Sequence, residues 1–550
     1  MGKKIIWLFL IITCVYLLGV GVDIMNVDAA QYASMSMEML QKHSYLELYD
    51  RGMDYLDKPP MLFWVTSQSM RVFGINNFAY KLPSILFALL AVFSTFKLAG
   101  IFYSRRIAVL AAIVLATSQA LFLTTNDIRT DTMLMSWVAL GLWQLAAWFS
   151  YKKWQNFLFA FIAIAGGMLT KGPIAIMIPI FAFGSHFILQ RDFKKFTRWE
   201  YLLGVLIIAL LITPFCIGLY RQFDLHPEKV MYGKTGTSGL RFFLWTQSFG
   251  RITGESTWNN GAGFFFQLEN LLWGFLPWII FFLVALGWEV KKLIQQRFRI
   301  SPGQEWITTG GFIISYCAIA SSKYQLPHYI YVVLPLAAII TAKFLDHLFY
   351  ESKFNALYHW LKPFHLFILS ALWLGAILIA VFVFPYPDTL HGLLLITGIA
   401  GFIALCFYKK SGGRQRLLVL CIYSMIGINI FLSTYFYPEL LQYQMGSSAG
   451  KYAHSHHIPE GKLVVYKTDN SDALCFYAQQ IVRKTGTAAG LQAGTWVLTG
   501  AEGLADLQQH YPLAIKLQGE DFPVQLLTAQ FLNPATREGE LKKYYLVEIR

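Results

Sequence analysis

Two short stretches near the N-terminus combine residue types that could do chemistry. Asp28 lies four residues before Tyr32, and Asp57-Lys58-Pro59-Pro60 follows in the same polar connection. A carboxylate can accept a proton or orient a hydroxyl group, and a lysine held beside two prolines can present a fixed cation to an anion. The two stretches therefore predict a site that needs one base and one fixed positive charge.

The composition of the chain predicts an integral membrane protein. Of its 550 residues, 56% are hydrophobic and only 14% are charged, a balance that excludes an ordinary soluble protein of this length. Much of the formal net charge of +14 falls in short basic clusters between apolar runs, where membrane topology explains it. We therefore expect no nucleic-acid partner. The six cysteines show neither a disulfide framework nor a metal-ligand spacing.

Apolar runs long enough to cross a bilayer recur up to the polar C-terminal part of the chain. Windows of about 17 to 22 residues predict about thirteen transmembrane helices. The windows begin near Ile5, Ala79, Ile107, Met133, Phe157, Pro173, Tyr201, Leu268, Trp306, His328, Phe364, Leu390 and Leu417. The predicted fold class is therefore mainly α, a polytopic membrane protein with a small C-terminal α/β domain.

Basic clusters indicate the orientation of these predicted helices. They lie at residues 3–4, 105–106, 152–153, 191–198, 291–299, 343–353 and 409–416, which is every second connection. By the positive-inside rule, the N-terminus is cytoplasmic. The outer connections are then residues 22–78, 124–132, 170–172, 221–267, 321–327 and 385–389, and everything after 437. A cleaved signal peptide is the alternative for the first run, but an apolar stretch of roughly eighteen residues favours an anchor.

The domain organisation follows from the change in composition near residue 437. Residues 1–436 are predicted to form the transmembrane domain, with outer loops at 22–78 and 221–267. Residues 437–550 are predicted to form an extracytoplasmic domain with strands at 462–466, 495–498 and 545–549 and helices around 471–482 and 501–510. The first outer loop contains Met61–Phe73, whose interleaved apolar and polar residues predict a helix in the membrane interface.

The outer connections contain a concentration of ionisable side chains, whereas the middles of the predicted helices are nearly free of charge. The residues concerned are Asp28, Asp57, Lys58, Asp127, Arg129, Asp131, Lys171, Arg251, Lys323, His328 and Tyr329. Transporters tend to carry ionisable residues near the bilayer midplane and to contain paired repeats. We find no internal repeat, so the pattern favours an enzyme with its site at the outer face of the membrane over a lipid or sugar transporter.

Each of these residues also has an ordinary structural interpretation. Asp is a common capping residue, and a helix is expected to begin at Ala29, just after Asp28. Lys58-Pro59-Pro60 could be a rigid elbow, with Lys58 in contact with lipid head groups, and Lys171 could be an interfacial lysine that extends toward water. A non-catalytic envelope scaffold is a third alternative for the whole chain. The shared location of the residues favours the catalytic interpretation.

Taken together and in order, the motifs resemble one family. They are Asp28 with Tyr32, Asp57-Lys58-Pro59-Pro60, Arg129-Thr130-Asp131, Leu169-Thr170-Lys171-Gly172-Pro173, Gly274-Phe275-Leu276-Pro277-Trp278, and Lys323 with Leu326-Pro327-His328-Tyr329. They resemble the polyprenyl-phosphate-sugar-dependent glycosyltransferases, which include protein O-mannosyltransferases and the bacterial lipid A aminoarabinose transferase. The resemblance covers the whole membrane part and implies a GT-C fold.

The resemblance implies a role for each matching residue. Asp28 and Asp131 would be the catalytic positions, with Asp28 orienting or deprotonating the acceptor and Asp131 lining the same cavity. Lys58, Arg251 and Tyr329 would bind the phosphate of the donor. The supporting cavity residues would be Tyr32, Asp57, Arg129, Lys171, Lys323 and His328.

The chain departs from the family pattern beside the first aspartate. Ala29 and Gln31 stand where many relatives have an acidic residue and an arginine, and Asp57 stands where glutamate is frequent in the aminoarabinose enzymes. Because these positions differ, no metal site is carried over from the relatives. We expect no obligatory divalent metal and no other cofactor.

The activity that the resemblance implies is an inverting sugar transfer. The donor would be a sugar on polyprenyl phosphate, of the undecaprenyl type, because nucleotide sugars are absent outside the inner membrane. The acceptor would be a lipid A-like glycolipid or a protein of the cell envelope. The chain would work at the outer face of a bacterial inner membrane, in contact with membrane lipids, with its C-terminal domain in the periplasm.

Overall fold

The computed structural model divides into a helical membrane part and a C-terminal part built on a sheet. The structure describes residues 2–255, 258–301, 303–351, 354–385, 388–408, 413–468 and 472–550, without the side chain of residue 252. The mainly helical architecture with a small C-terminal sheet domain confirms the predicted fold class.

Eight helical segments in the described residues are long and apolar enough to cross a membrane. They are Lys3–Gly21, Asn77–Phe102, Thr130–Tyr151, Glu200–Asp224, Pro327–Phe349, Asn355–Val383, Thr389–Phe407 and Gln415–Leu441. A bent pair, Arg105–Ala116 and Gln119–Asn126, gives a ninth if it forms one span. Ile174–Gln190 and Ile307–Ala320 are apolar but shorter. The chain is thus a polytopic membrane protein.

All thirteen predicted windows fall on helices, but the number of spans stays a prediction. The windows near Phe157 and Leu268 fall on segments outside the eight: Trp154–Lys171, and the pair Phe266–Gly274 and Ile279–Gln295. This pair is divided around Pro277, which supplies no backbone N–H to a continuous helix. Among the basic residues used for topology, Lys353, Lys409 and Lys410 lie outside the described residues.

Small residues allow the membrane helices to approach closely. Helix Trp154–Lys171 packs against Thr130–Tyr151, and a Cβ atom added to Gly166 would lie 2.7 Å from the ring of Trp137. A Cβ on Gly167 would lie 2.7 Å from the Cβ of Ala175. Glycine at such contacts permits backbone approach between membrane helices, where van der Waals packing is a main source of association. This packing holds together the helices that carry Asp131 and Lys171.

The connection at residues 22–78, predicted to be the first outer loop, contains two helices. Asp28–Lys42, which we call the Asp28 helix, packs against Met61–Phe73, and the latter has the bounds predicted from sequence. Its position in the membrane interface stays a prediction. Two short hairpins pair Tyr49–Asp50 with Met53–Asp54 and Val230–Met231 with Lys234–Thr235. Shorter α-helices lie at Gly239–Arg241 and Phe249–Thr253, and Tyr437–Leu441 forms the end of the segment Gln415–Leu441.

Several short 3-10 and π segments continue or connect these helices. The 3-10 segments are Gly19–Gly21, Phe193–Thr197, Pro327–Val333 and Glu538–Glu540. The π-type segments are Tyr220–Asp224, Phe242–Thr246, Ile379–Val383 and Leu432–Phe436. The α-helix Leu334–Phe349 follows Pro327–Val333 directly, so the residues near His328 lie at the start of a span.

The C-terminal part is a five-stranded sheet with helices around it. The strand order is Arg483–Thr485, Leu463–Tyr466, Trp496–Gly500, Lys542–Ile549 and Leu513–Asp521. The first three strands in this order run parallel to one another. Each of the last two pairs antiparallel with the strand before it. The helices are Met445–Ser455, Asp472–Ala478, Ala501–His510, Ala529–Leu532 and Pro534–Arg537.

Three of these strands confirm the strands predicted from sequence: Leu463–Tyr466, Trp496–Gly500 and Lys542–Ile549. Two of the helices, Asp472–Ala478 and Ala501–His510, confirm the two predicted helices. Helix Ala501–His510 has the predicted bounds, whereas Asp472–Ala478 is shorter than predicted and residue 471 lies outside the described residues. The sequence did not indicate Arg483–Thr485 or Leu513–Asp521. Both are edge strands with many exposed polar positions, so neither has the apolar run of a buried strand.

Candidate active site

Asp28 lies in the first turn of the Asp28 helix and faces a loop from the membrane part. Its Oδ2 accepts a hydrogen bond from Nη1 of Arg129. The N-cap position of this helix is Val27, so the interpretation of Asp28 as the cap residue is wrong. One third of the Asp28 side chain is exposed, which leaves it accessible to a substrate.

Arg129 joins Asp28 to a second carboxylate. Its Nε and Nη2 each lie 2.9 Å from Oδ2 of Asp127. Burial raises the pKa of Asp127 despite the adjacent guanidinium. For Arg129, burial disfavours the charged form, but Asp127 and Asp28 outweigh this effect and raise its pKa. The guanidinium therefore stays charged and holds the Asp28 carboxylate in place.

Lys58 is held beside Asp57 at the start of the short turn that contains the two prolines. Its Nζ lies 2.6 Å from Oδ2 of Asp57, and only 9% of the residue is exposed. Burial disfavours the ammonium, but Asp57 and Tyr329 outweigh it, so the pKa of Lys58 lies above its ordinary value. Gln247 donates through Nε2 to the backbone carbonyl of Asp57 and fixes this turn from another loop. Lys58 is thus a buried, fixed cation.

Arg251 is the second buried cation of the site, with 6% of the residue exposed. Its Nη1 donates to the Tyr329 hydroxyl at 2.8 Å, and Nη2 lies 3.9 Å from Oδ1 of Asp57. The guanidinium lies over the rings of Trp258 and Tyr324, 4.8 and 5.3 Å from their centroids. Within the described part of the chain, its Nε and Nη2 have no hydrogen-bond partner. Buried donors of this kind fit an anion.

A third group surrounds Asp131, of which 1% is exposed. Lys171 Nζ lies 2.5 Å from its Oδ1, and His328 Nε2 lies 3.5 Å from its Oδ2. The same ammonium lies 3.9 Å from the centroid of the Tyr329 ring. Tyr329 therefore links this group to Arg251, and the two cations face one volume.

That volume is a cavity of about 100 Å³. Its polar wall is formed by Lys58, Asp131, Lys171, Gln247, Ser248, Arg251, Ser322 and Tyr329. Its apolar wall is formed by Leu134, Ile174, Met177, Phe249, Ala318, Ile319 and Val332. A cavity that is lined by both buried cations and apolar side chains fits a molecule with an anionic head and a hydrocarbon tail.

The structure brings together most of the residues that the sequence indicated. Lys58, Asp131, Lys171, Arg251 and Tyr329 share the cavity, and His328 contacts Asp131. The remaining members lie around this group: Asp28 with Arg129, Asp57 with Lys58, and Tyr32 buried edge-on to Phe63 at 5.8 Å. Lys323 contributes through its backbone, whose N–H donates to the Arg251 carbonyl at 3.2 Å.

Sequence reasoning missed Gln247, Trp258 and Tyr324, which hold Asp57 and Arg251. A glutamine and two aromatic residues in outer loops carry no spacing that distinguishes them from surface residues. Asp127 was among the residues of the outer face, but its bond to Arg129 was not predicted. In the residues that the structure covers, no group of three or more His, Cys, Asp or Glu could hold a metal ion. The expectation of no obligatory metal stays a prediction.

One protein-family model matches part of the chain. Residues 57–217 match the family described as dolichyl-phosphate-mannose-protein mannosyltransferase. The matched segment begins at Asp57 and includes Lys58, Arg129, Asp131 and Lys171. It covers less than half of the chain.

Curated relatives match a longer part of the sequence. The undecaprenyl phosphate-alpha-4-amino-4-deoxy-L-arabinose arabinosyl transferase of Edwardsiella ictaluri is 26% identical over 59% of this chain and 56% of its own length. The transferase of the same name from Wigglesworthia glossinidia brevipalpis is 25% identical over 60% of this chain and 56% of its own length. The matches therefore span little more than half of these relatives.

A solved structure matches nearly the whole fold. The crystal structure of ArnT from Cupriavidus metallidurans bound to undecaprenyl phosphate has a TM-score of 0.75 and 15% sequence identity. The match covers 99% of this chain and 98% of that chain, so the C-terminal part is included. The resemblance predicted from the motifs is confirmed: the chain is a polytopic membrane protein with the GT-C fold, similar to the polyprenyl-phosphate-sugar glycosyltransferases.

Proposed function

We propose that the chain is a glycosyltransferase that moves a sugar from a polyprenyl phosphate to an acceptor in the cell envelope. The observation that carries the proposal is the buried guanidinium of Arg251, whose Nε and Nη2 have no hydrogen-bond partner in the described residues. It lines a partly apolar cavity together with Lys58 and Lys171. The curated relatives are named for transfer from undecaprenyl phosphate, and the matched crystal structure contains that lipid. An undecaprenyl-type donor is therefore the specific proposal.

The cations supply what the leaving group needs. When the bond from the anomeric carbon to the phosphate oxygen breaks, the electron pair goes to that oxygen and negative charge develops there. Lys58, Arg251 and the Tyr329 hydroxyl are placed to stabilise this charge in a partly dry cavity, where such interactions are stronger than in water. The apolar wall would accommodate the first part of the lipid chain.

Asp28 is the proposed group on the acceptor side. An acceptor oxygen attacks the anomeric carbon as the phosphate leaves, and the proton of a hydroxyl acceptor passes to the Asp28 carboxylate. If the acceptor is already ionised, Asp28 only orients it. This direct displacement inverts the anomeric configuration. Asp131, buried against Lys171 and His328, sets the position of Lys171 near the phosphate.

The proposed location follows from topology. We place the chain in the bacterial inner membrane with its N-terminus in the cytoplasm and both the site and residues 437–550 at the periplasmic side. Residues 1–436 would form the transferase domain. The acceptor would be a lipid A-like glycolipid or an envelope protein, since both are found on that side. Transport of a lipid or sugar is the alternative, and it requires no covalent transfer.

Mass spectrometry of envelope lipids and glycoproteins tests this proposal. Cells that lack the gene would be complemented with the wild-type chain, Asp28→Asn, Lys58→Ala or the control Arg241→Ala at matched levels. Arg241 lies in the same outer loop as Arg251, with two thirds of its side chain exposed. We expect a sugar-sized mass to depend on the wild-type chain, to be lost in the first two variants and to remain in the control. Full transfer by both variants would overturn the proposal.

A further inference from the structure

The segment that leads into the Asp28 helix is held by the C-terminal part of the chain. Residues 22–27, which we call the lead-in segment, contain no regular helix between Gly19–Gly21 and Asp28–Lys42. Backbone groups in such a segment have no helical partners and need others. Two side chains from beyond residue 437 meet this need in the middle of the segment.

Gln444 makes a two-sided contact with the lead-in segment. Its Nε2 donates to the carbonyl of Ile24 at 2.8 Å, and its Oε1 accepts from the N–H of Asn26 at 2.8 Å. Only 1% of Gln444 is exposed, and its Nε2 also lies 2.5 Å from Oγ of Ser447. An amide that pairs with both a carbonyl and an N–H fixes the direction of the backbone as well as its position.

Tyr477 holds the same segment from the helix Asp472–Ala478. The N–H of Ile24 donates to its hydroxyl at 2.8 Å, and the hydroxyl lies 3.0 Å from Oδ1 of Asn77 and 3.2 Å from Oδ1 of Asp23. Asn77 begins the membrane helix Asn77–Phe102. Tyr477 therefore connects the lead-in segment to both the C-terminal part and the membrane part.

A second connection reaches the Asp28 helix itself. Gln31 donates through Nε2 to Oδ2 of Asp50 at 2.8 Å, and Arg51 lies 3.3 Å from both Oδ1 of Asp50 and Oδ1 of Asp472. The helix Asp472–Ala478 also packs directly against the Asp28 helix. The C-terminal part thus contacts the backbone at Ile24 and Asn26, shortly before Asp28, and is linked through Arg51 and Asp50 to the side chain of Gln31, three residues after it.

We infer that the C-terminal part positions the Asp28 carboxylate for the reaction, with Gln444 and Tyr477 as positioning residues. The inference rests on the proposed function in that Asp28 is the acceptor-side group. Neither positioning residue lines the cavity with Lys58 and Arg251, so they act on Asp28 rather than on the donor phosphate. Misplacing a reacting group by about 1 Å can lower the rate on the order of a hundredfold.

The test compares Gln444→Met and Tyr477→Phe with the control Gln442→Met in the purified full-length chain. Gln442 is exposed and lies two residues away. Sugar transfer from undecaprenyl phosphate-linked 4-amino-4-deoxy-L-arabinose to lipid A gives kcat and the KM for the donor. We expect Gln444→Met and Tyr477→Phe to lower kcat about tenfold with the KM for the donor unchanged, and the control to match the wild type. An unchanged kcat, or a loss explained by a raised KM alone, would overturn the inference.

Hydrogen exchange of residues 22–31 provides a measurement that needs no activity. We expect faster exchange in Gln444→Met and Tyr477→Phe than in Gln442→Met, while the affinity for undecaprenyl phosphate stays the same. Tyr477→Phe keeps the ring, so it remains informative if Gln444→Met fails to fold. If the wild type transfers no sugar but hydrogen exchange is faster in these variants, the proposed function fails, whereas Gln444 and Tyr477 are still shown to hold residues 22–31 in place. Unchanged exchange in both variants would overturn the positioning role itself.

Discussion

The hydroxyl of Tyr329 accepts a hydrogen bond from Nη1 of Arg251 at 2.8 Å, and the ring of the same tyrosine lies 3.9 Å below the Lys171 ammonium. One side chain thus sets the positions of two cations that come from different parts of the chain. Because the oxygen uses a lone pair to accept, its proton is free to point into the cavity. Tyr329 can therefore donate to a phosphate oxygen while it holds Arg251.

Replacing Arg251 with Met tests the anion site directly. We expect affinity for undecaprenyl phosphate to fall on the order of 10- to 100-fold, because hydrogen bonds to charged groups each contribute roughly 1.5 to 3 kcal/mol. Native mass spectrometry of undecaprenyl phosphate bound to the purified protein measures the ratio of the wild-type and variant affinities. Arg241→Met, in the same loop but exposed, serves as the control. Equal affinity in the two variants would show that Arg251 does not bind the phosphate.

The pair of Asp131 and Lys171 should show strong coupling in stability. Removing the charge of Lys171 leaves a carboxylate that is 1% exposed without its closest cation, a change that costs about 3 to 5 kcal/mol for buried pairs. We expect Lys171→Met to lower the thermal unfolding temperature, and Lys171→Met with Asp131→Leu to recover most of the loss. Additive effects of the two substitutions would contradict a buried ion pair.

The sequence predicted elements better than it predicted contacts. Met61–Phe73 and Ala501–His510 were found with their observed bounds, because apolar periodicity and flanking turn residues mark helix ends directly. The grouping of Arg251 with Tyr329 came from the family resemblance. Nothing in residue spacing alone connects positions 78 residues apart.

The contacts that hold the site in place could not be predicted from the sequence. Gln247 reaches Asp57 across 190 residues, and Gln444 reaches Asn26 across 418. A buried glutamine that pairs with backbone has the same local sequence as one on the surface. Such partners depend on which loops the helices bring together, and local propensity does not contain that information.

Gly166 tests the close packing of the helices that carry Asp131 and Lys171. Its missing Cβ would lie 2.7 Å from the Trp137 ring, so Gly166→Ala should force the two helices apart. Overpacking of this kind costs about 1 to 3 kcal/mol, which would appear as a lower unfolding temperature in detergent. Gly287→Ala is the control, because a Cβ there would meet no atom within 4 Å. Similar unfolding temperatures for both variants would contradict the packing.

The pH dependence of stability tests the environment of Asp472, at the contact with the Asp28 helix. Burial raises the pKa of Asp472 to about 6 from an ordinary value of 3.8, with Arg51 opposing the rise and Asp50 adding to it. Because the folded state holds this proton more tightly than the unfolded chain does, the stabilisation is full below about pH 4 and is lost as the pH rises through 6.

Asn cannot ionise, so Asp472→Asn should escape this loss. We expect the variant to unfold at nearly the same temperature as the wild type near pH 4 and at a higher temperature above about pH 6, as measured by thermal unfolding across this range. Asp506→Asn, in the same domain, should have the opposite effect and lower the unfolding temperature relative to the wild type at higher pH. The reason is that the Tyr466 hydroxyl and Lys467 lower the pKa of Asp506. If the difference in unfolding temperature between Asp472→Asn and the wild type stayed constant with pH, the pKa of Asp472 would not be raised by folding. The carboxylate would then have to be well solvated despite its contact with Arg51.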